Sequence, residues 1–239
     1  MFVHLIALAK LGEKSLAYHY ASQSKSDILA KQQSLSEVVK SLQGVASIHV
    51  LKTESANFES VQQMDPYFIG VSVYEDMPDF ANDVQNEMQL TATDVAAYLI
   101  RKNVTQAFSL QKTLYYLYAD YLVEYDVRLF RSRFLAFEHG PVEYDVFTRN
   151  RYDRDALEKQ YGFEDKLMLA KDKDSETIYQ FVDSRIQKYA EFFNSSRWDQ
   201  KENPTHRSGT PWSIARQKKS RNSQINDVDI LKFHYIESL

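Results

Sequence analysis

Between Ser109 and Tyr125 the chain reads SLQKTLYYLYADYLVEY. Leu110, Leu114, Leu117, Tyr118, Tyr121, Leu122 and Tyr125 recur at the i, i+4, i+7 and i+8 steps of one helical face, which predicts a helix. Ser109 is placed to cap its first turn. One face does not account for all of its aromatic surface. Tyr116 falls away from the stripe, and Gln111 and Tyr115 form an i, i+4 pair along another edge. Such a helix must be surrounded by other elements or offer part of itself as a contact surface, since tyrosine is a favoured interface anchor. After it, Phe130 and Phe134–Phe137 suit a short, half-buried extended segment. Glu138-His139-Gly140-Pro141-Val142 then breaks the chain. Gly140 permits a sharp turn, and Pro141 fits the first position of a following helix. That reading sets His139 beside a helix N-terminus, where the dipole disfavours its charged form.

The blocks LQK-x-LYY (Leu110–Tyr116), LF (Leu129–Phe130) and F-x-AF-x-HGPV-x-Y-x-VF (Phe134–Phe147) resemble the Panacea (SocA-like) antitoxin family. The family is associated with phages and mobile elements. The resemblance runs from about Thr91 to about Phe233. It takes in a helix over Thr91–Asn103 and a later Thr205-His206 and Pro211-Trp212 pair. It implies a non-enzymatic antitoxin that inactivates a cognate protein toxin by direct contact. One branch delivers its toxin to an ATP-dependent protease, so such a protease is a further implied partner. The signature and the surplus aromatics together point to Gln111, Lys112, Tyr115, Tyr116, His139, Gly140, Pro141 and Trp212 as partner-binding residues. Two rival readings stand beside this one. One is a hydrolase or transferase built on His139, and the other is a phage-encoded interaction protein with no toxin partner.

Composition narrows the chemistry. There is no cysteine among the 239 residues, so disulfides, thiolate metal sites and cysteine nucleophiles are excluded. No Gly-x-Ser-x-Gly, His-Glu-x-x-His or Walker-type loop occurs. The expectation is therefore no catalytic metal, no bound nucleotide and no cofactor. His4, His19 and His49 read as ordinary strand residues without ligand spacing. The acidic series Glu75, Asp76, Asp79, Asp83 and Glu87 reads as a solvated face rather than a metal cluster or a nucleic-acid mimic. Arg216, Lys218, Lys219 and Arg221, with Arg207 upstream, read as a solvated loop or helix end, or alternatively as a surface for an acidic partner. The net charge of −4 gives no general attraction to nucleic acid. No apolar run approaches the roughly 20 residues that span a bilayer, and the opening MFVHLIALAKLG lacks the features of a signal peptide. A cytoplasmic protein with no membrane partner is expected.

Charge also divides the chain. Residues 1–90 carry 6 basic and 11 acidic residues, whereas residues 91–239 carry 23 and 22, and no arginine precedes Arg101. A boundary near residue 90 follows. The expected class is α+β, with a small N-terminal α+β accessory domain (1–90) before a mostly helical Panacea-like domain (91–239). In the first part the pattern predicts a hairpin of Phe2–Ala9 and Leu16–Ala21 across Leu11-Gly12-Glu13-Lys14. A helix over Ser26–Leu42, a strand over Val45–Leu51 and the best strand of the chain at Tyr67–Tyr74 follow. Residues 75–87 form an acidic helix or linker around Pro78. In the second part Thr91-x-x-Asp94 forms a capping box. Arg149–Lys173 is irregular or short-helical, Glu176–Phe193 is a helix, and Ser195–Thr210 is a polar loop. Thr210 caps a helix that starts at Pro211. A last helix from about Asn226 buries Val228, Leu231 and Tyr235.

Overall fold

A computed structural model describes residues 1–12, 14–42, 44–170, 173–194, 203–218 and 220–239, and the fold is α+β. Two compact units emerge, one of residues 1–89 with 168–171, the other of residues 90–167 with 172–239.

The first unit is a four-stranded sheet in the order Ala46–Thr53 (β3), Phe2–Leu11 (β1), Lys14–Ser22 (β2), Ser72–Tyr74 (β4). Strands β1 (Phe2–Leu11) and β2 (Lys14–Ser22) form the expected hairpin in the register Leu11↔Lys14. Gly12 takes φ +61 at the turn, a region where glycine carries no Cβ penalty, and Glu13 lies outside the described residues. Helix α1 (Lys25–Ser41) follows, and β3 (Ala46–Thr53) pairs antiparallel with β1. The central strand β1 is buried on both faces. Leu5, Ala7 and Ala9 join a core with Leu35 of α1, while Ile6 and Leu8 pack with Val61 and Phe68 on the other side. Double burial explains its near-continuous apolar sequence.

The expected strand over Tyr67–Tyr74 is corrected. Helix α2 (Phe58–Met64), which the sequence pattern did not predict, leads into a 3-10 turn at Pro66–Phe68, and only Ser72–Tyr74 is strand (β4), parallel to β2. The cause is local. The Asp65 carboxylate accepts from the Tyr67 amide, Pro66 supplies a helical φ, and Gly70 at φ +76 breaks the run. The acidic series forms helix α3 (Met77–Met88), capped by Asp76 and burying Phe80 and Val84. His4 and His19 stack at 5.1 Å, and His4 Nε2 lies 2.8 Å from Thr53 Oγ1.

In the second unit α4 (Ala92–Arg101) opens on the expected capping box, with Asp94 N donating to Thr91 Oγ1 and Thr91 N to the Asp94 carboxylate. Helix α5 (Ala107–Tyr125) begins earlier than expected, so Ser109 is no cap. It is buried, and its hydroxyl donates to the Phe193 carbonyl. Every residue from Ser109 to Ala119 is buried, so the helix is enclosed on all sides. Strands β5 (Phe134–Phe137) and β6 (Gly140–Glu143) form a hairpin. Pro141 therefore lies in a strand rather than at a helix start, and His139 is at the hairpin turn, not beside a helix N-terminus. The following helix, α6 (Tyr144–Tyr152), is capped by the Glu143 carboxylate, which accepts from the Val146 amide.

The stretch expected to be irregular or short-helical contains α6, α7 (Arg154–Glu158) and α8 (Gly162–Ala170). Helix α9 (Lys173–Asn194) packs along α5 through Phe181, Val182, Ile186, Tyr189 and Phe193. Of the expected polar loop, residues 195–202 lie outside the described residues, and Pro204–His206 make a 3-10 turn with Pro204 and Thr205 buried. Thr210 caps α10 (Pro211–Arg216) as expected. Helix α11 (Asp227–Phe233) is rotated relative to the expectation: Val228, Leu231 and Tyr235 are 57%, 40% and 74% exposed, whereas Ile230, His234 and Glu237 are buried. The inward face is set by polar bonds to α5, described below, and not by apolar count. Among the described residues no helix is long and apolar enough to cross a membrane.

Candidate functional site

Helix α5 carries an unusual density of buried polar groups, and each ties down a different part of the unit. The Glu143 amide donates to Gln111 Oε1 at 2.7 Å, and Gln111 Nε2 donates back to the Glu143 carbonyl at 3.4 Å. The Glu143 carboxylate also accepts from the Arg133 amide, and burial pushes its pKa up. One glutamine thus holds β6, and through it the start of α6.

Lys112, one turn along the chain from Phe108, is 1% exposed. Its ammonium donates to Thr205 Oγ1 at 2.7 Å and Asn203 Oδ1 at 3.2 Å. Burial lowers its pKa to about 7, because a desolvated ammonium loses its hydration shell. Gly140 is what admits this side chain. A Cβ at Gly140 would lie 2.0 Å from Lys112 Nζ, and its φ of +122 suits glycine. Asn203 completes the joint by donating to the His139 carbonyl. The glycine of HGPV and the lysine of LQK are therefore one structural unit, although 28 positions (140 − 112) separate them.

Tyr115 and Tyr116 point elsewhere. Both are fully buried. The Tyr115 hydroxyl donates to Glu237 Oε1 at 2.5 Å, and the Tyr116 hydroxyl to the Glu237 carbonyl at 2.8 Å. His234 bridges Glu237 Oε1 (3.0 Å) and Asp120 Oδ1 (2.8 Å), and Tyr189 donates to the same Asp120 carboxylate. Burial alone would lower the His234 pKa, but its bonds to Asp120 and Glu237 hold it up to about 9. At Asp120 burial works upward, and the bonds from His234 and Tyr189 keep the net shift downward. This closed network fastens α11 and the residues after it onto α5. The expectation that Tyr115 and Tyr116 face a partner is accordingly corrected. Their rings fill the core and their hydroxyls are consumed internally.

Four of the remaining candidates, Gln111, Lys112, His139 and Pro141, line one cavity, and Gly140 and Trp212 do not. A cavity of about 490 Å³ is lined by Gln111, Lys112, His139 and Pro141, with Phe108, Phe137 and Phe147 as apolar walls and Glu138, Arg216 and Arg221 among its charged residues. Gly140 is buried against Lys112, outside the lining. Glu138 and His139 are exposed at the hairpin turn. Trp212 supports the turn from outside the lining. Its indole donates to the Phe137 carbonyl at 2.8 Å and stacks on His206 at 4.0 Å. Burial pushes the His206 imidazole down to about 4, with the Lys112 charge adding to the effect.

Arg216 and Arg221 belong to the basic cluster for which the sequence allows a solvated loop or helix end, or a surface for an acidic partner. The structure brings both to the cavity, with Arg216 donating to the Ala136 carbonyl, while Lys219 lies outside the described residues. Phe108 and Asn150, also in the lining, carried no sequence signal. Among the described residues no group of three or more His, Asp or Glu could hold a metal ion. Residues 110–213 match the model of a family described as antitoxin SocA-like, Panacea domain. No curated protein and no solved structure matches the chain.

Proposed function

On the premise that residues 110–213 form a SocA-like Panacea domain, we propose that this protein is a non-enzymatic antitoxin that neutralises a cognate protein toxin by direct contact at the HGPV cavity. The observation that carries the reading is the convergence of Gln111, Lys112, His139 and Pro141 on one opening. Three phenylalanines offer apolar walls, and Arg216 and Arg221 outweigh the single carboxylate of Glu138. A toxin segment that combines an apolar side chain with an acidic group matches this lining. The apolar part supplies desolvated anchor energy, and the charges set orientation.

The test is co-expression with a neighbouring open reading frame that is toxic alone. Wild-type protein restores growth, and Arg216→Glu or His139→Ala abolishes rescue while the melting curve stays in place. A lost anchor costs about 2 kcal/mol or more, roughly thirtyfold in affinity. Full rescue by every cavity variant would sink the proposal. Toxin abundance in the same cells separates simple blocking, where it is maintained, from delivery to an ATP-dependent protease, where it falls.

A further inference from the structure

A second cavity in the same unit has a different chemistry. It measures about 630 Å³ and lies between the first turn of α4, the segment before β5, and α6. Arg131, Arg133 and Arg149 line it, against the one carboxylate of Asp145. The charges converge from two separate parts of the chain, and two of them stand on a pinned backbone. Arg131 N donates to the Leu90 carbonyl at 2.8 Å, and its own carbonyl accepts from Ala92 N at 3.1 Å. Arg133 N donates to the buried Glu143 carboxylate at 2.9 Å. The Arg133 guanidinium lies over the Tyr144 ring at 4.5 Å and is 3.6 Å from Asp145. Arg131 and Arg149 have no carboxylate within ion-pair distance among the described residues. The lining also offers the hydroxyls of Ser132 and Thr148.

We propose that this cavity binds a phosphorylated small molecule bearing two or more phosphate groups. Guanidinium groups pair with phosphate oxygens two at a time, and three of them against one carboxylate leave a formal surplus of +2 (3 − 1) for an anion. The volume lies within the range of small-molecule sites, about 300–1,000 Å³. A bounded ligand is favoured over a nucleic acid, because the chain as a whole carries −4 and provides no extended field for a long polyanion. The sequence contains no Walker loop. That motif delivers phosphate contacts from one contiguous stretch, whereas these arginines are scattered over positions 131–149. None of the three lines the HGPV cavity, so this site and the toxin-binding reading stand or fall separately.

Isothermal titration of the full chain with pyrophosphate, ADP and adenosine tests the assignment. Pyrophosphate and ADP bind and adenosine does not. The double variant Arg131→Ala/Arg149→Ala weakens both by about tenfold or more. Arg151→Ala, on the same helix but outside the lining, leaves them unchanged. Both substituted side chains are exposed, so an unshifted melting curve shows that the loss is not unfolding. The proposal is overturned by no heat with millimolar pyrophosphate or ADP, or by an equal loss in Arg151→Ala. It is equally overturned if only a single-stranded RNA oligonucleotide binds, which would mark a nucleic-acid face instead.

Discussion

The two ends of α5 use similar residues for opposite purposes. At its C-terminal half the tyrosine hydroxyls, Asp120, His234 and Glu237 close on one another. At its N-terminal end Gln111 and Lys112 are also bonded, yet they form the floor of an opening of about 490 Å³. The contrast teaches that a family signature is not a map of a contact surface. Of LQK-x-LYY, the last two tyrosines are struts. Only the glutamine and lysine touch a space that a partner could enter, and they do so from below.

The largest effect expected from breaking this contrast is on the closed end. Tyr116→Ala removes a buried ring and strands the Glu237 carbonyl, so it should cost about 3–5 kcal/mol in chemical denaturation. A loss under about 1 kcal/mol would mean that the network is dispensable.

Next comes pH. The folded His234 pKa of about 9 exceeds the unfolded value of 6.5. Its stabilisation is therefore complete below about 6.5 and lost as pH rises through about 9, amounting to roughly 3 kcal/mol at most. Lys112 acts in the opposite sense. Its folded pKa of about 7 lies below the unfolded 10.5, so its burial costs most below about 7 and the cost fades on going to alkaline pH. Because the two slopes oppose each other, the readout is the difference between wild type and His234→Gln. That difference should shrink between pH 6.5 and 9, and a constant difference would contradict the assignment.

At the junction of the two regimes, Gly140→Ala places a Cβ on Lys112 Nζ at a φ of +122. It should cost about 1–3 kcal/mol and change the cavity as well as the fold. The smallest stability effect belongs to the rim, where His139→Ala should shift unfolding by less than about 0.5 kcal/mol. A shift comparable to that of Tyr116→Ala would erase the distinction between strut and rim.

What could be read from sequence followed how local the cause was. The hairpin of β1 and β2, the Thr91–Asp94 capping box and the Thr210-Pro211 start of α10 are decided by neighbours within a few residues, and all were legible. The strand predicted at Tyr67–Tyr74 failed because Asp65-Pro66 and Gly70 outweighed a β-rich composition. The face of α11 was illegible for the opposite reason. Its orientation is fixed by Glu237 and His234 meeting side chains more than 110 positions away, and no helical periodicity carries that information. The cavity was half legible. LQK and HGPV pointed to Gln111, Lys112, His139 and Pro141, but the arginines that set its charge looked like surface.

The span of the closed network also bears on how the chain comes into being. Tyr115 and its acceptor on Glu237 are 122 positions apart. At a synthesis rate of roughly 5–20 residues per second, α5 waits on the order of 6–24 s for that partner. Throughout that interval the Tyr115, Tyr116 and Tyr118 hydroxyls are without the acceptors on Asp227 and Glu237 that they have in the folded unit. The docking of residues 227–237 is then a late closing step, which completes the interior of the unit.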